Sequence, residues 1–160
     1  MTRSAIPESG SLLFVYGSLK EGFPNFHVNG GRRVPGRFRT VHPHPLYLAD
    51  GVLPCLLPAA GQGHRVAGQL FEVGAAELAR MDRLEKVGEP GGYERVTLEV
   101  ERDGNGDGDG DGNGCGPAGP WPAFVYVQHE SRLAGTGPHI GPIEEYTHEH
   151  AKNLRWSGSA

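Results

Sequence analysis

"LLFVYGSLK", residues 12–20, opens as an unbroken apolar run and stops on Tyr16-Gly17-Ser18-Leu19. Apolar runs of four to eight residues bounded by turn formers fit a buried strand, and Gly17-Ser18 marks where this one ends, so a strand is expected over 12–16. A buried strand that closes on small residues can present consecutive backbone N–H groups as a nest, held rigidly by the core behind it. Such a nest binds a carboxylate or a developing oxyanion, and Gly17 and Ser18 leave room for the approach. A plain strand-ending turn reads the same way from these residues alone.

Working outward, a loop punctuated by glycine and proline runs to Arg33, and strand-like runs follow near 34–41, 45–49 and 65–73. PLYLADGVLPCLLP (45–58) carries an Asp50-Gly51 turn signal between two apolar runs, the pattern of a hairpin, with Pro54 and Pro58 placing its second run at an edge. A helix is expected from Ala75 to Lys86, where Ala, Glu, Leu, Arg and Met dominate. YERVTLEVER (93–102) alternates Val96, Leu98 and Val100 against charged residues and Thr97, and PAFVYVQ (122–128) is a last β run. Six or seven strands around one helix are neither a βαβ alternation nor a bundle. The expectation is an α+β domain, a small mixed β-barrel-like sheet holding the helix against one opening.

The chain of 160 residues suits one domain. Residues 1–10 read as a disordered lead, 11–130 as the domain, and 131–160 as a tail with a short helix from about Ile143. A net charge of -4 gives no basic footprint, which excludes a nucleic-acid backbone as the natural partner. No leader h-region or membrane-length apolar stretch is present. The reading is a cytoplasmic monomer acting on a small molecule. Cys55 and Cys115 are too few for a disulfide framework and are expected to be reduced.

The glycine- and aspartate-rich segment 103–120 offers Asp103, Asn105, Asp107 and Gly108 at EF-hand spacing but no glutamate at the twelfth position and no flanking helices. A flexible hairpin extension is the expectation. His148 and His150 point to different faces of a helix and cannot chelate together there, and His42 and His44 fall in a proline-flanked loop, so no metal and no cofactor is expected. Nucleophile signatures are missing as well. Gly17-Ser18 is not followed by the x-Gly of a nucleophile elbow, and GSLKEG lacks the Gly-Lys-Ser/Thr order of a P-loop.

The helix carries the sharper signal. At 100° per residue, Met81 projects at about 300° and Glu85 at about 340° from Leu78, so a carboxylate points where the apolar stripe predicts a leucine. Near a helix C-terminus and partly desolvated, its pKa is expected to rise, as a proton shuttle near neutral pH needs. If the helix stops before residue 85, Glu85 faces water instead. Asp82 projects onto the stripe's solvated flank.

Val15-Tyr16-Gly17-Ser18-Leu19-Lys20 with Gly22 and Pro24-Asn25, Leu53-Pro54, Gly68 before Phe71-Glu72-Val73, Met81-Asp82-Arg83-Leu84-Glu85 before Tyr93, and Phe124-Val125-Tyr126 together resemble the γ-glutamylcyclotransferase-like superfamily. They are most similar to its γ-glutamylamine cyclotransferase branch. The resemblance spans most of 12–128 in order; the 103–120 insert and the His-rich tail have no counterpart in it. It implies a small mixed β-barrel, substrate held by the Tyr-Gly-Ser-Leu backbone amides, and Glu85 as acid/base. The reaction it implies converts a γ-glutamyl amide or amine to 5-oxoproline and free amine, with the substrate's own α-amine as nucleophile. Tyr16, Gly17, Ser18, Leu19, Lys20, Tyr93 and Tyr126 are the candidate substrate-binding residues. Tyr93 and Tyr126 read equally as core aromatics, and Lys20 as an exposed turn lysine. A non-catalytic carboxylate-binding module and a γ-glutamyl amide hydrolase are the competing functions.

Overall fold

Strand β1 (Ser11–Val15) sends alternate side chains into two different hydrophobic cores. Successive residues of a strand face opposite sides, so Leu12 and Phe14 point one way and Leu13 and Val15 the other, all of them buried. That double burial is the physical reason for the unbroken apolar run. The computed structural model describes residues 11–23, 25–49, 53–90, 92–103, 120–129 and 139–151. The lead, the Asp50-Gly51 corner, most of the glycine-aspartate insert with Cys115, and the last residues of the tail lie outside that set.

The order along the chain is β1, a 3₁₀ turn at Phe26–Val28, β2 (Arg32–Thr40), β3 (Leu46–Ala49), β4 (Leu53–Leu56), β5 (Ala67–Val73), α1 (Ala75–Leu84), β6 (Glu94–Arg102), β7 (Trp121–Val127) and α2 (His148–Ala151). Five strands close a barrel in the order β1-β5-β2-β6-β7, while β3 and β4 form a separate hairpin. Neighbours are antiparallel except β1 and β7, which close the barrel in parallel, so the sheet is mixed as expected. Strand β2 pairs with β5 from Arg32 to Arg39, with an irregularity between Val34 and Phe38, and with β6 on its other edge from Phe38 to Thr40. Pro35 cannot donate to the ladder, and Gly36 adopts φ 109°, a conformation that favours glycine. The resulting bulge supplies the bend that a small closed barrel requires.

Leu12, Phe14, Phe38, Leu70, Val100, Ala123 and Val125 fill the barrel, and Leu46, Leu56 and Val66 extend that core under the hairpin. Residues of opposite parity, Leu13, Val15, Phe71, Val73 and Tyr126, pack with Met81 of α1 on the outside. The helix therefore covers the outer wall at β1, β5 and β7, a correction to the expectation that it sits across an opening. Each fully buried Leu or Phe contributes about 1.5–3 kcal/mol, so the helix is held mainly by this face.

Helix α1 begins with the Glu77 carboxylate accepting the N–H of Gly74 at 2.8 Å, and it ends earlier than Lys86. Lys86 takes the left-handed conformation, φ 58°, while Val87 N–H donates to the Asp82 carbonyl and Lys86 N–H to that of Arg83. This is a Schellman termination with Lys86 where glycine usually sits. The tail also differs from expectation. Ile140, Ile143 and Glu144 are held against the domain, with hydrogen bonds from Leu48 N–H to Ile140 O, Ile143 N–H to Leu46 O and Ala67 N–H to Glu144 O, and among the described residues of the tail only His148–Ala151 is helical. His44, read as a loop residue, is buried, pairs with His64 across an isolated bridge, and has its pKa pushed down by burial. No helix among the described residues is long and apolar enough to cross a membrane.

Candidate active site

Glu85 is 1% exposed although it lies one residue beyond the helix. Its backbone stays near helical values, φ -83° and ψ -3°, so the side chain keeps the inward direction that the helical projection assigns, and the alternative of a solvated Glu85 fails. Two main-chain bonds fix it: Glu85 N–H donates to the Met81 carbonyl and the Glu85 carbonyl accepts from Tyr93 N–H, each at 2.9 Å. The end of α1 is thereby tied to the start of β6.

The carboxylate acts on two phenols. Burial is the main reason the Tyr16 hydroxyl is held well above its ordinary pKa, followed by the neighbouring Cys55 and the charge of Glu85. Tyr126 is raised by burial, by its hydrogen bond to Asp82, and by the charges of Asp82 and Glu85, with Arg95 opposing. Both tyrosines line one pocket together with Phe14, Val15, Gly17 and Leu19. Glu85 is not among these lining residues, but its charge contributes to raising both phenols that are.

Hydrogen bonds orient these rings. Tyr16 Oη donates to the Tyr126 carbonyl at 2.7 Å and accepts from Leu56 N–H at 3.4 Å, joining β7 to the hairpin. Tyr126 Oη donates to Asp82 Oδ1 at 2.8 Å, and Arg95 holds the other oxygen of that carboxylate at 2.5 Å. Asp82 is therefore half-buried and engaged, not simply solvated. Tyr93 is buried too, but its hydroxyl donates to the Pro54 carbonyl at 2.7 Å, which makes it a clasp between β6 and the hairpin outside the pocket lining.

The turn after β1 is built as a rigid corner. Lys20 N–H returns to the Gly17 carbonyl, and the N–H groups of Gly17 and Leu19 donate to no described acceptor. Asn25 donates from Nδ2 to Ser18 Oγ at 2.8 Å and from its backbone to the Ser18 carbonyl, while Asn29 Nδ2 donates to the Leu19 carbonyl at 3.1 Å. Asn25 and Asn29 are buried, and their bracing role was not read from the sequence. Asparagine's habit of bonding nearby backbone in turns was the available signal. Lys20 is not the exposed turn lysine of its alternative reading: its side chain is buried, and its ammonium donates to the Tyr146 carbonyl at 2.5 Å.

The candidate site thus combines a closed barrel, a strand-end turn that lines a pocket through Gly17 and Leu19, and a buried glutamate at the close of α1. Residues 13–147 match the family described as gamma-glutamyl cyclotransferase, AIG2-like. The chain belongs to this family. Within the family, the chain is 32% identical over 151 residues to a γ-glutamylaminecyclotransferase from Bos taurus, covering 91% of this chain and 80% of the relative. The corresponding protein of Mus musculus is 35% identical over 138 residues, or 79% and 91%. The crystal structure of an AIG2-like protein from Mus musculus superposes with a TM-score of 0.69 at 29% identity, covering 94% of this chain and 97% of that one. The closed barrel with one main helix is thus the fold of the family.

Proposed function

We propose that this chain is a γ-glutamylamine cyclotransferase, in which the substrate's α-amine attacks its own γ-carbonyl and Glu85 moves the protons. The carbon–nitrogen bond to the departing amine breaks as the lactam bond forms, giving 5-oxoproline and free amine. The attacking nitrogen begins as an ammonium and ends as a lactam N–H, so it gives up two protons; the departing nitrogen takes up two and leaves as an ammonium. Glu85 relays them one at a time. A single carboxyl in this role typically contributes about 10² to 10⁴-fold.

No protein nucleophile is required. The larger task is to hold a flexible glutamyl chain in its cyclising conformer, where effective molarities of about 10⁵ to 10⁸ M are available to well-oriented groups. The amides of the Gly17–Leu19 turn take the substrate α-carboxylate or the developing oxyanion, and Tyr16 and Tyr126 wall the pocket beside Glu85. Because the Tyr126 hydroxyl proton is engaged by Asp82, its oxygen meets a ligand as an acceptor, which suits an ammonium. The names of the bovine and murine relatives support an amine as the leaving group.

The observation that carries this reading is a carboxylate 1% exposed whose charge falls on both pocket phenols. A non-catalytic binder gains nothing from a second negative charge beside an anionic ligand. The test is a panel of γ-glutamyl amides with the α-amine free or acetylated, followed by mass spectrometry. Cyclisation predicts 5-oxoproline from the free amines and no turnover of the blocked ones. Free glutamate from the free-amine substrates, or acetylglutamate from the blocked ones, would mean hydrolysis, and binding without turnover would mean a binding module.

A further inference from the structure

Lys20 follows directly on the turn that lines the pocket through Gly17 and Leu19, yet its ammonium is turned away from water and onto the C-terminal segment. The side chain is 3% exposed, Nζ donates to the Tyr146 carbonyl, and the charge lies 4.5 Å from the centre of the Phe23 ring. Tyr146 is fully buried, with its ring 5.8 Å from that of Phe23, and His148 stacks on Phe23 at 4.0 Å. The same segment is fastened upstream to β3 through Leu48 and Leu46 and to β5 through Ala67. Residues 140–148 therefore run from the hairpin across β5 to the substrate turn, and Lys20 is where they meet it.

We infer that Lys20 is a positioning residue, which latches the C-terminal segment to the substrate turn and so sets how tightly the Gly17–Leu19 amides hold the γ-glutamyl group. The inference rests on the proposed use of those amides. A buried ammonium is costly to desolvate, and a methionine of similar length would pack there without that penalty. Burial pushes the Lys20 pKa down to about 8; Glu145 opposes the shift, and Arg37 and Arg33 reinforce it. An ammonium kept under those conditions is specific to the carbonyl it holds. A packing role alone needs no charge. Glu85 stands on a different element, so loosening the latch acts on binding and not on proton transfer.

The test compares the wild-type chain with Lys20→Met, using γ-glutamyl amides for kinetics and amide hydrogen exchange without substrate for residues 140–147. The latch predicts a KM raised about tenfold with kcat within twofold, together with faster exchange of the 140–147 amides. An unchanged KM, or equal losses in kcat and KM, overturns the inference. A raised KM with unaltered exchange also overturns it, since Lys20 would then be a direct substrate ligand. Phe23→Leu removes the ring under the ammonium and keeps the lysine, and is expected to raise KM about threefold; it decides the matter if Lys20→Met does not fold. The exchange result does not depend on turnover, so a wild-type chain that turns over no γ-glutamyl amide counts against the proposed function and leaves the latch itself to be judged by exchange.

Discussion

The carbonyl oxygen of Glu85 accepts the backbone N–H of Tyr93 at 2.9 Å, so the residue proposed to move protons is also the stitch between helix α1 and strand β6. Its side chain enters the buried region because its main chain is held on both sides. The position of the carboxyl consequently depends on residues that never approach the substrate.

Gly92 is one of them. A Cβ at this position would lie 1.9 Å from the Lys86 carbonyl oxygen, with the Lys86 backbone unable to yield without moving the helix end. Gly92→Ala is expected to destabilise the fold by about 1–3 kcal/mol. It should also lower kcat by about 10²-fold, the penalty typical of a 1 Å misplacement of a reacting group. Chemical denaturation and steady-state kinetics on the same preparation check both.

Lys86 predicts the opposite sign. It holds φ 58° at the helix terminus, where a side chain is strained and glycine is not. Lys86→Gly should stabilise the protein by about 0.5–1 kcal/mol, the relief of strain exceeding the entropy of the added glycine. Turnover should stay at the wild-type rate. A lowered melting temperature would show that the lysine side chain has a stabilising contact outweighing its backbone strain.

Tyr126 separates a pocket role from a core role. Tyr126→Phe keeps the ring and removes the hydroxyl that donates to Asp82, leaving the Asp82–Arg95 pair in place. The expected loss in kcat/KM is about tenfold, one hydrogen bond's worth. A variant that loses stability while kcat/KM stays within twofold of wild type would mark the phenol as structural.

Lys20 gives a pH signature. Its folded pKa is about 8 against an ordinary 10.5, so between these values the unfolded chain holds a proton that the folded chain has released. Stability therefore rises with pH across that window, by up to about 3 kcal/mol from this group. Below about pH 8 both states are protonated and the burial penalty is fully present. Substrate affinity should move the other way, because a neutral amine is a weaker latch. The buried tyrosines, raised in the fold, act with opposite sign from about pH 10, so the difference between wild type and Lys20→Met is the quantity to follow. The same pH slope in both proteins would contradict the assignment.

The barrel was legible because β1, β5, β6 and β7 carry period-2 or continuous apolar patterns between clear turn signals, and their observed bounds fall within two residues of those expected. Glu85 was legible for a related reason: its main chain continues the helical screw past the last helical residue, so projection at 100° per residue stayed valid. The tail was not. Ile143, Glu144 and Tyr146 have helix-compatible neighbours, but their backbone groups are taken by Leu46, Ala67 and Lys20, partners remote in sequence that local propensity does not register. The burial of Lys20 was not legible for the same reason, since exposure is the usual fate of a turn lysine and its ammonium is taken by a tail carbonyl remote in sequence. Asp82 projected toward solvent, and its engagement depends on Arg95 and Tyr126 from two other strands.

The most direct measurement is the rate of 5-oxoproline release from a γ-glutamylamine by Glu85→Gln, with circular dichroism and a melting curve on the same sample. The account predicts a folded variant whose kcat is lower by about 10² to 10⁴-fold, since an amide of the same shape fills the site but carries no proton between the two nitrogens. A folded variant releasing 5-oxoproline at the wild-type rate would contradict it.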